Sequence, residues 1–360
     1  MKILKYNFLI TILVLVMGAT AQSYRFVEAS SLTMVGKMFS TPNPYNRVDT
    51  VRFKGFTPKE QMQVSCSSGL AVAFSTNSSS IVVCTEYQFV RLEPANATGI
   101  SYNGYDLYIK KDGEWIYAAS AMPNMSKTMD TLRLIEAMTP GEKECLLYLP
   151  IYDPLVSVLV GVEESAQLKP LPMPFRHRIG VYGSSFTQGV STSRAGMCYP
   201  SQLSRMTGLQ MLNLGCSGNA KMQPYFADVL CAAEVDAILL DVFSNPEAEV
   251  IKERLFPFIE KVQSAHPDIP LIFQRTIRPE NWNFREDKRE TESYRMKVAD
   301  SLMAIAVKKY PHVYYIVPDA AAGSHENTVD GLHPDNYGYT LWAESIRKPL
   351  LKILKKYKIK

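Results

Sequence analysis

A hydroxyl, an imidazole and a carboxylate stand in this sequence where nucleophilic attack on an acyl carbon would need them. Residues 180–189 read Gly-Val-Tyr-Gly-Ser-Ser-Phe-Thr-Gln-Gly. The apolar run from Arg178 to Tyr182 predicts a buried strand, and the glycine-flanked turn after it would hold a serine out at the strand's carboxyl end. Near the other end of the chain, Asp330-Gly-Leu-His333-Pro sets a carboxylate and an imidazole in one loop. A serine hydroxyl is a weak nucleophile until a base takes its proton, and that base needs a third group to fix its tautomer and orientation. Imidazole ordinarily titrates near neutrality, which suits it to the role of base.

The elements that must bring these groups together follow from the rhythm of the chain. Beyond about residue 178, strand and helix patterns alternate. Strands are expected near 178–183, 211–215, 236–242, 270–275 and 313–317, and helices near 199–207, 222–232, 247–264, 286–309 and 336–357. Such alternation predicts an α/β half around a mostly parallel sheet, in which ligands gather beyond the carboxyl ends of the strands. The two serines, Gly215, Asn245, Asp330 and His333 all follow strands in this scheme. Arg194, Tyr199, Lys221, Arg275 and Trp282 fall in loops on the same rim and are candidate substrate contacts.

The preceding half has a different texture. Short β-rich runs such as Thr50 to Phe56, Gly69 to Phe74, Ile81 to Thr85 and Val156 to Val160 are separated by turn signals. An alternating segment around Asp112-Gly113 is a strong hairpin signal. These features predict an all-β, jelly-roll-like sandwich over residues 22–168. A stiff connection with Pro170, Pro172 and Pro174 spans 169–177, and the α/β half occupies 178–360. Lys2 and Lys5, an apolar stretch from Phe8 to Met17 and Ala19-Thr20-Ala21 predict a cleaved signal over residues 1–21, and hence export to a bacterial periplasm or the exterior. No later stretch promises a membrane span.

A formal charge of +4, with no basic stripe outside Lys355, Lys356, Lys358 and Lys360, argues against nucleic acid as a partner. The six cysteines (Cys66, Cys84, Cys145, Cys198, Cys216, Cys231) show no Cys-x-x-Cys spacing. A Cys66–Cys84 disulfide and buried free thiols are both compatible with export. His177, His266, His312 and His325 have no metal-ligand spacing. Phosphate-loop, dinucleotide, Gly-x-Ser-x-Gly and zinc-helix signatures are missing, and no cofactor is implied.

Over residues 176–358 the sequence resembles the SGNH, or GDSL-type, hydrolases. Gly183-Ser184-Ser185-Phe-Thr187-Gln-Gly189 is similar to the first block of that family, which makes Ser185 the implied nucleophile. Gly215, in Asn213-Leu-Gly-Cys-Ser-Gly218-Asn219, matches the second block, Asn245 the third, and Asp330 to Pro334 the last. Ser184 stands where the family has an aspartate, and Phe243-Ser-Asn-Pro246 departs from the usual Gly-x-Asn-Asp. Gly104-Tyr-Asp106-Leu-Tyr108 resembles the signature of a β-rich GxDLY domain that precedes some of these enzymes, where Asp106 and Tyr108 would stabilise the β half.

The resemblance implies a flavodoxin-like three-layer fold and a serine esterase acting through an acyl-enzyme. His333 would be the base, Asp330 its orienting partner, and Ser185, Gly215 and Asn245 the oxyanion donors. The implied substrate is an acyl ester, acetyl foremost, of a small molecule or polysaccharide. A glycan-binding protein on a degenerate copy of the fold, or an acyl transferase using the same serine, are the alternatives.

Overall fold

The structure is a computed structural model describing residues 23–92, 94–318 and 326–359; the expected export signal and His325 lie outside them. The first half contains β1 (Tyr24–Glu28), β2 (Thr33–Val35), α1 (Pro58–Ser65), β3 (Ala71–Thr76), β4 (Ile81–Tyr87), α2 (Gly99–Asn103), β5 (Tyr105–Lys111), β6 (Glu114–Ala121), β7 (Met129–Ile135), β8 (Lys143–Tyr148), β9 (Leu155–Glu163) and β10 (Leu168–Pro170). One antiparallel sheet runs β1-β9-β4-β7, the other β10-β3-β8-β5-β6 with β2 on β3. Their facing apolar residues, among them Val72, Phe74, Leu107 and Leu147 on one sheet and Val83, Val158 and Val160 on the other, make a shared core. Alternation along each strand puts these side chains on one face.

The β5–β6 hairpin turns at Asp112 and Gly113, both with positive φ (53° and 87°), as a two-residue turn of mirror-image hand requires. Pro170 closes β10 at the margin of its sheet, where its missing N–H costs no ladder bond. The run Thr50–Phe56, read as β-rich in the sequence, is a turn and loop instead. Asp49 Oδ1 accepts from the backbone N–H groups of Val51 and Arg52 and coils the chain. Phe53 and Phe56 then bury themselves in the α/β core, where Phe56 meets the edge of Phe226 at 5.0 Å.

The second half comprises β11 (Arg176–Gly183), α3 (Ser185–Gln188), α4 (Tyr199–Thr207), β12 (Leu209–Gly215), α5 (Pro224–Ala232), β13 (Ala237–Asp241), α6 (Ala248–Ala265), β14 (Leu271–Gln274), α7 (Glu286–Lys309), β15 (Val313–Ile316) and α8 (Asn336–Lys355). The strands are all parallel in the order β12-β11-β13-β14-β15. Both faces are covered, one by α5, α6 and α7 and the other by α4 and α8, which explains why β12 and β13 are buried at every position. Strand order reverses at β11, so the turn that leaves β11 opens into the crevice where such sheets bind ligands.

The β half docks on this rim through buried polar contacts. Asp106, fully buried, receives two bonds from Arg194 Nη1 at 3.0 and 3.2 Å and one from the Gly196 N–H at 2.9 Å. Tyr108 accepts from Arg194 at 2.9 Å. Expected to stabilise the β half, Asp106 and Tyr108 also clamp a loop of the other half. Arg47, also buried, donates to the carbonyls of Cys66, Gln63, Asn213 and Gly215 at 2.7–3.2 Å and so reaches the carboxyl end of β12.

All six cysteines are free thiols, and Cys66 and Cys84 do not pair. Burial pushes Cys66 up to about 11 and Cys145 and Cys216 up to about 12, so these three sit as inert apolar side chains.

The turn carrying Ser184 and Ser185 rests on Asp241, at the end of β13. One carboxylate oxygen of Asp241 accepts from the Ser184 N–H at 3.2 Å, the Ser184 hydroxyl at 2.8 Å and the Thr187 hydroxyl at 3.0 Å, while the other is buried without a partner. Burial raises this carboxyl to about 6 against the opposing pull of the three bonds. The native state therefore binds a proton that the unfolded chain, titrating near the ordinary value of about 4, has already lost. This contribution to stability is complete below pH 4 and disappears as the pH rises through 6, on the order of 3 kcal/mol in all. Asp241→Asn should flatten that slope and melt no lower than wild type above pH 6, read from denaturant titrations between pH 4 and 8. Arg194→Ala leaves the Asp106 carboxylate buried and unpaired, and we expect a loss of about 3–5 kcal/mol in urea unfolding.

Candidate active site

Ser185 is the first residue of α3, and Ser184 caps that short helix by accepting the Phe186 N–H at 3.2 Å. As the opening residue of a helix, Ser185 has a backbone N–H outside the helical ladder. Its hydroxyl lies 3.1 Å from His333 Nε2, and His333 Nδ1 lies 2.7 Å from Asp330 Oδ2. A carboxylate only accepts, so Nδ1 carries the proton and Nε2 is left to accept from the serine.

The loop bearing Asp330 and His333 is shaped by its own polar groups. Asp330 Oδ1 accepts the backbone N–H groups of Leu332 at 3.0 Å and His333 at 2.7 Å, and Val329 and His333 close a further backbone bond at 2.9 Å. The neighbouring segment 280–283 holds this loop in turn, since Glu280 accepts from the Asn327 N–H and the Thr328 hydroxyl, and the Asn281 N–H donates to the Gly331 carbonyl at 2.9 Å. The His333 ring packs on Phe186, centroid to centroid 5.7 Å, which ties the histidine loop to α3 through a second contact.

One partner of Asp330 comes from the β half. Asn96 Nδ2 donates to Asp330 Oδ2 at 2.8 Å. Burial works to raise the Asp330 carboxyl, but the backbone and ring bonds of His333 and the Asn96 bond outweigh it and hold it down to about 2. Nothing in the sequence around Asn96 marks it, because the contact spans two separately folding patterns.

The remaining sequence candidates divide. Asn245 Oδ1 accepts the Ala220 N–H at 3.1 Å, which turns its Nδ2 away from that contact, and Asn245 lines a cavity of about 160 Å³ together with Ser185 and Trp282. The Gly215 N–H is taken up by Asn213 Oδ1 at 2.8 Å and is not available to an oxyanion. Its lack of a side chain serves packing instead, since a Cβ there would stand 2.2 Å from the Gln188 nitrogen of α3. Arg194 is engaged by Asp106 and Tyr108. Tyr199 is wholly buried, stacked on Trp342 with centroids 5.0 Å apart and bonded to Thr187 and Gln274. Arg275 pairs with Asp300 of α7 at 3.1 Å. Lys221 lines neither cavity beside the serine and histidine. Arg194, Tyr199 and Arg275 thus lie near the rim, but their side chains are taken up by partners inside the protein.

His333 opens on a second cavity, of about 250 Å³, walled largely by Met62, Gln63, Arg91, Asn96, Tyr102 and Tyr152 of the β half. A larger cavity, about 690 Å³, lies by Arg178 and Glu234 at the amino end of the parallel strands, away from this chemistry. Among the described residues no group of His, Cys, Asp or Glu is placed to hold a metal ion, and no helix is long and apolar enough to cross a membrane.

The hydrogen bonds run from the Ser185 hydroxyl through His333 to Asp330, an arrangement able to take the serine's proton. Residues 176–351 match the GDSL-like lipase/acylhydrolase family and residues 24–168 the GxDLY N-terminus of SGNH-hydrolase-type esterases. A GDSL-like lipase from Bacteroides ovatus is 36% identical, with 92% of this chain and 98% of that one aligned at a TM-score of 0.88. A salicylyl-acyltransferase from a tetracycline biosynthetic pathway (18% identity, 92% and 97% coverage, TM-score 0.74) and a family two carbohydrate esterase from Cellvibrio japonicus (12%, 93% and 99%, TM-score 0.61) share the fold. No curated protein sequence matches the chain. Both halves, in order and nearly end to end, thus place this chain in the GDSL-like lipase/acylhydrolase family of SGNH esterases, enzymes that hydrolyse ester bonds.

Proposed function

We propose that this chain is an exported esterase that removes small acyl groups, acetyl foremost, from carbohydrate. The observation that carries the reading is the continuous hydrogen-bonded chain Ser185–His333–Asp330. Ser185 Oγ attacks the ester carbonyl as His333 takes its proton; His333 then returns a proton to the leaving alcohol, and water repeats the sequence on the acyl-enzyme. Asp330, held ionised, stabilises the imidazolium formed at each step. The oxyanion would meet the Ser185 N–H and the Asn245 amide. In place of Gly215 we assign the third donor to the N–H of Gly218, which lies in the same turn and makes no hydrogen bond among the described residues.

The small cavity that Ser185 shares with Asn245 favours a short acyl group. The family two carbohydrate esterases that share this fold, and an acetyl xylan esterase from Butyrivibrio proteoclasticus that aligns at 12% identity with a TM-score of 0.55, suggest a sugar as the alcohol. Export rests on the N-terminal signal pattern of residues 1–21. Transfer to an alcohol in place of water would use the same groups, and adding alcohol acceptors to the assay separates the two outcomes.

The test is acetate release from acetylated xylan and from 4-nitrophenyl acetate. Ser185→Ala should lower kcat by roughly 10⁴-fold or more. Ser184→Ala, which loses only the helix cap and its bond to Asp241, should cost about 1 kcal/mol of stability and retain most of the turnover. The reverse pattern would move the nucleophile to Ser184, and a fluorophosphonate adduct mapped by mass spectrometry checks the assignment independently.

Because Asp330 is held at about 2, it remains ionised throughout the range in which the protein is assayed, so any acid limb of kcat/KM above pH 4 belongs to another group. Asn96→Ala removes one donor from Asp330. On 4-nitrophenyl acetate we expect kcat to fall by about three- to tenfold with melting temperature unchanged; a parallel loss of stability would mark Asn96 as merely structural.

A further inference from the structure

Beside His333, the β half presents polar groups that the fold itself leaves unsatisfied. Arg91 is anchored by Asp153, with Nε 2.5 Å from Oδ1 and its backbone N–H 2.8 Å from Oδ2. Asp153 is fully buried and takes a third bond from Asn103 at 3.1 Å. Yet Arg91 Nη2 is buried with no hydrogen-bond partner. Tyr152, its ring stacked 4.4 Å from that of Tyr102, has a hydroxyl that makes no hydrogen bond among the described residues. Both residues line the cavity of about 250 Å³ onto which His333 opens. A buried donor without an acceptor costs the fold about 1–3 kcal/mol, so Arg91 Nη2, at a cavity that the open Tyr152 hydroxyl and His333 also line, calls for an external explanation.

We propose that this cavity between the two halves is the subsite for the leaving alcohol, and that Arg91 and Tyr152 bind hydroxyl oxygens of a neutral, polyhydroxylated alcohol such as a sugar ring. The inference rests on Ser185 and His333 acting as nucleophile and base. His333 must hand a proton to the departing oxygen, so the alcohol has to lie on the side that His333 lines, while the cavity lined by Ser185 and Asn245 receives the acyl group. The charge of Arg91 is already balanced by Asp153, which favours a neutral acceptor over a carboxylate. Gln63 and Asn96 add polar groups to the same wall, a poor surface for an aliphatic chain. The β half thereby selects the alcohol, and the α/β half performs the chemistry.

Tyr152→Phe and Arg91→Lys, which keeps a cation for the buried Asp153, test this, with a melting curve of each variant alongside. Each is assayed on methyl 4-O-acetyl-β-xylopyranoside, which keeps two free ring hydroxyls, and on 4-nitrophenyl acetate, whose leaving group offers none. On the sugar ester kcat/KM should fall about fivefold for Tyr152→Phe and about tenfold or more for Arg91→Lys. On 4-nitrophenyl acetate it should stay within about twofold, the energy of half a weak hydrogen bond. Product inhibition of the wild-type enzyme by free methyl β-xylopyranoside should weaken by matching factors in the variants. Equal losses on both esters, or no loss on either, would overturn the subsite. If wild type cleaves both esters, Ser185→Ala cleaves neither and the two variants show no preference, the subsite alone is rejected. If Ser185→Ala is as active as wild type, the nucleophile assignment falls and the subsite falls with it.

Discussion

The contact on which the rest of this structure depends is the buried pair of Asp106 with Arg194. A carboxylate removed from water needs its charge matched and its lone pairs filled, and Asp106 meets both needs only by reaching across to Arg194 and the Gly196 N–H. That requirement seats the β sandwich on the carboxyl rim of the parallel sheet. With the seat set, Arg47 can reach the end of β12, Thr98 can bond the Ser193 carbonyl at 2.7 Å, and Asn96 can arrive at Asp330. Two otherwise separate cores become one site with walls from both.

Two aspartates near Ser185 illustrate how environment sets the ionisation of the same side chain. Asp330 is surrounded by donors, two backbone N–H groups, an imidazole and an amide, and stays ionised beside His333. Asp241 is deeper and serves one oxygen's worth of donors, so burial dominates and its carboxyl titrates far higher. The first can stabilise a positive charge that forms during turnover. The second braces the turn that carries Ser185, and Ser184, standing where related sequences have an acid, links that turn to Asp241 through its hydroxyl and its N–H.

Much of the fold was legible because the patterns that encode it are local. The five parallel strands and the long helices fall within a few residues of their expected positions, since each is written in a run of buried apolar residues bounded by turn signals. The Asp112-Gly113 hairpin was legible for the same reason. The Thr50–Phe56 run misled because its apolar residues alternate like a strand while their partners lie in the other half of the molecule, which no local pattern records. The site shows the same divide. Ser185, Asp330 and His333 sit in short motifs whose neighbours impose the required turns. Arg194, Tyr199 and Arg275 lie near the expected rim, yet their side chains turn to Asp106, to Trp342 and to Asp300.

The sequence by itself determined the two-part architecture, the parallel sheet and the identity of the residue types able to do acyl chemistry, because periodicity and turn chemistry act over a handful of neighbours. Only the tertiary structure decided which N–H groups remain free, since Asn213 takes the Gly215 donor and Ala220 orients the Asn245 amide. It alone also decided that Asn96, Arg91 and Tyr152 face the base. Those outcomes depend on which distant groups satisfy one another when two cores are pressed together, and hydrogen-bond partners chosen across that interface leave no periodic trace along the chain.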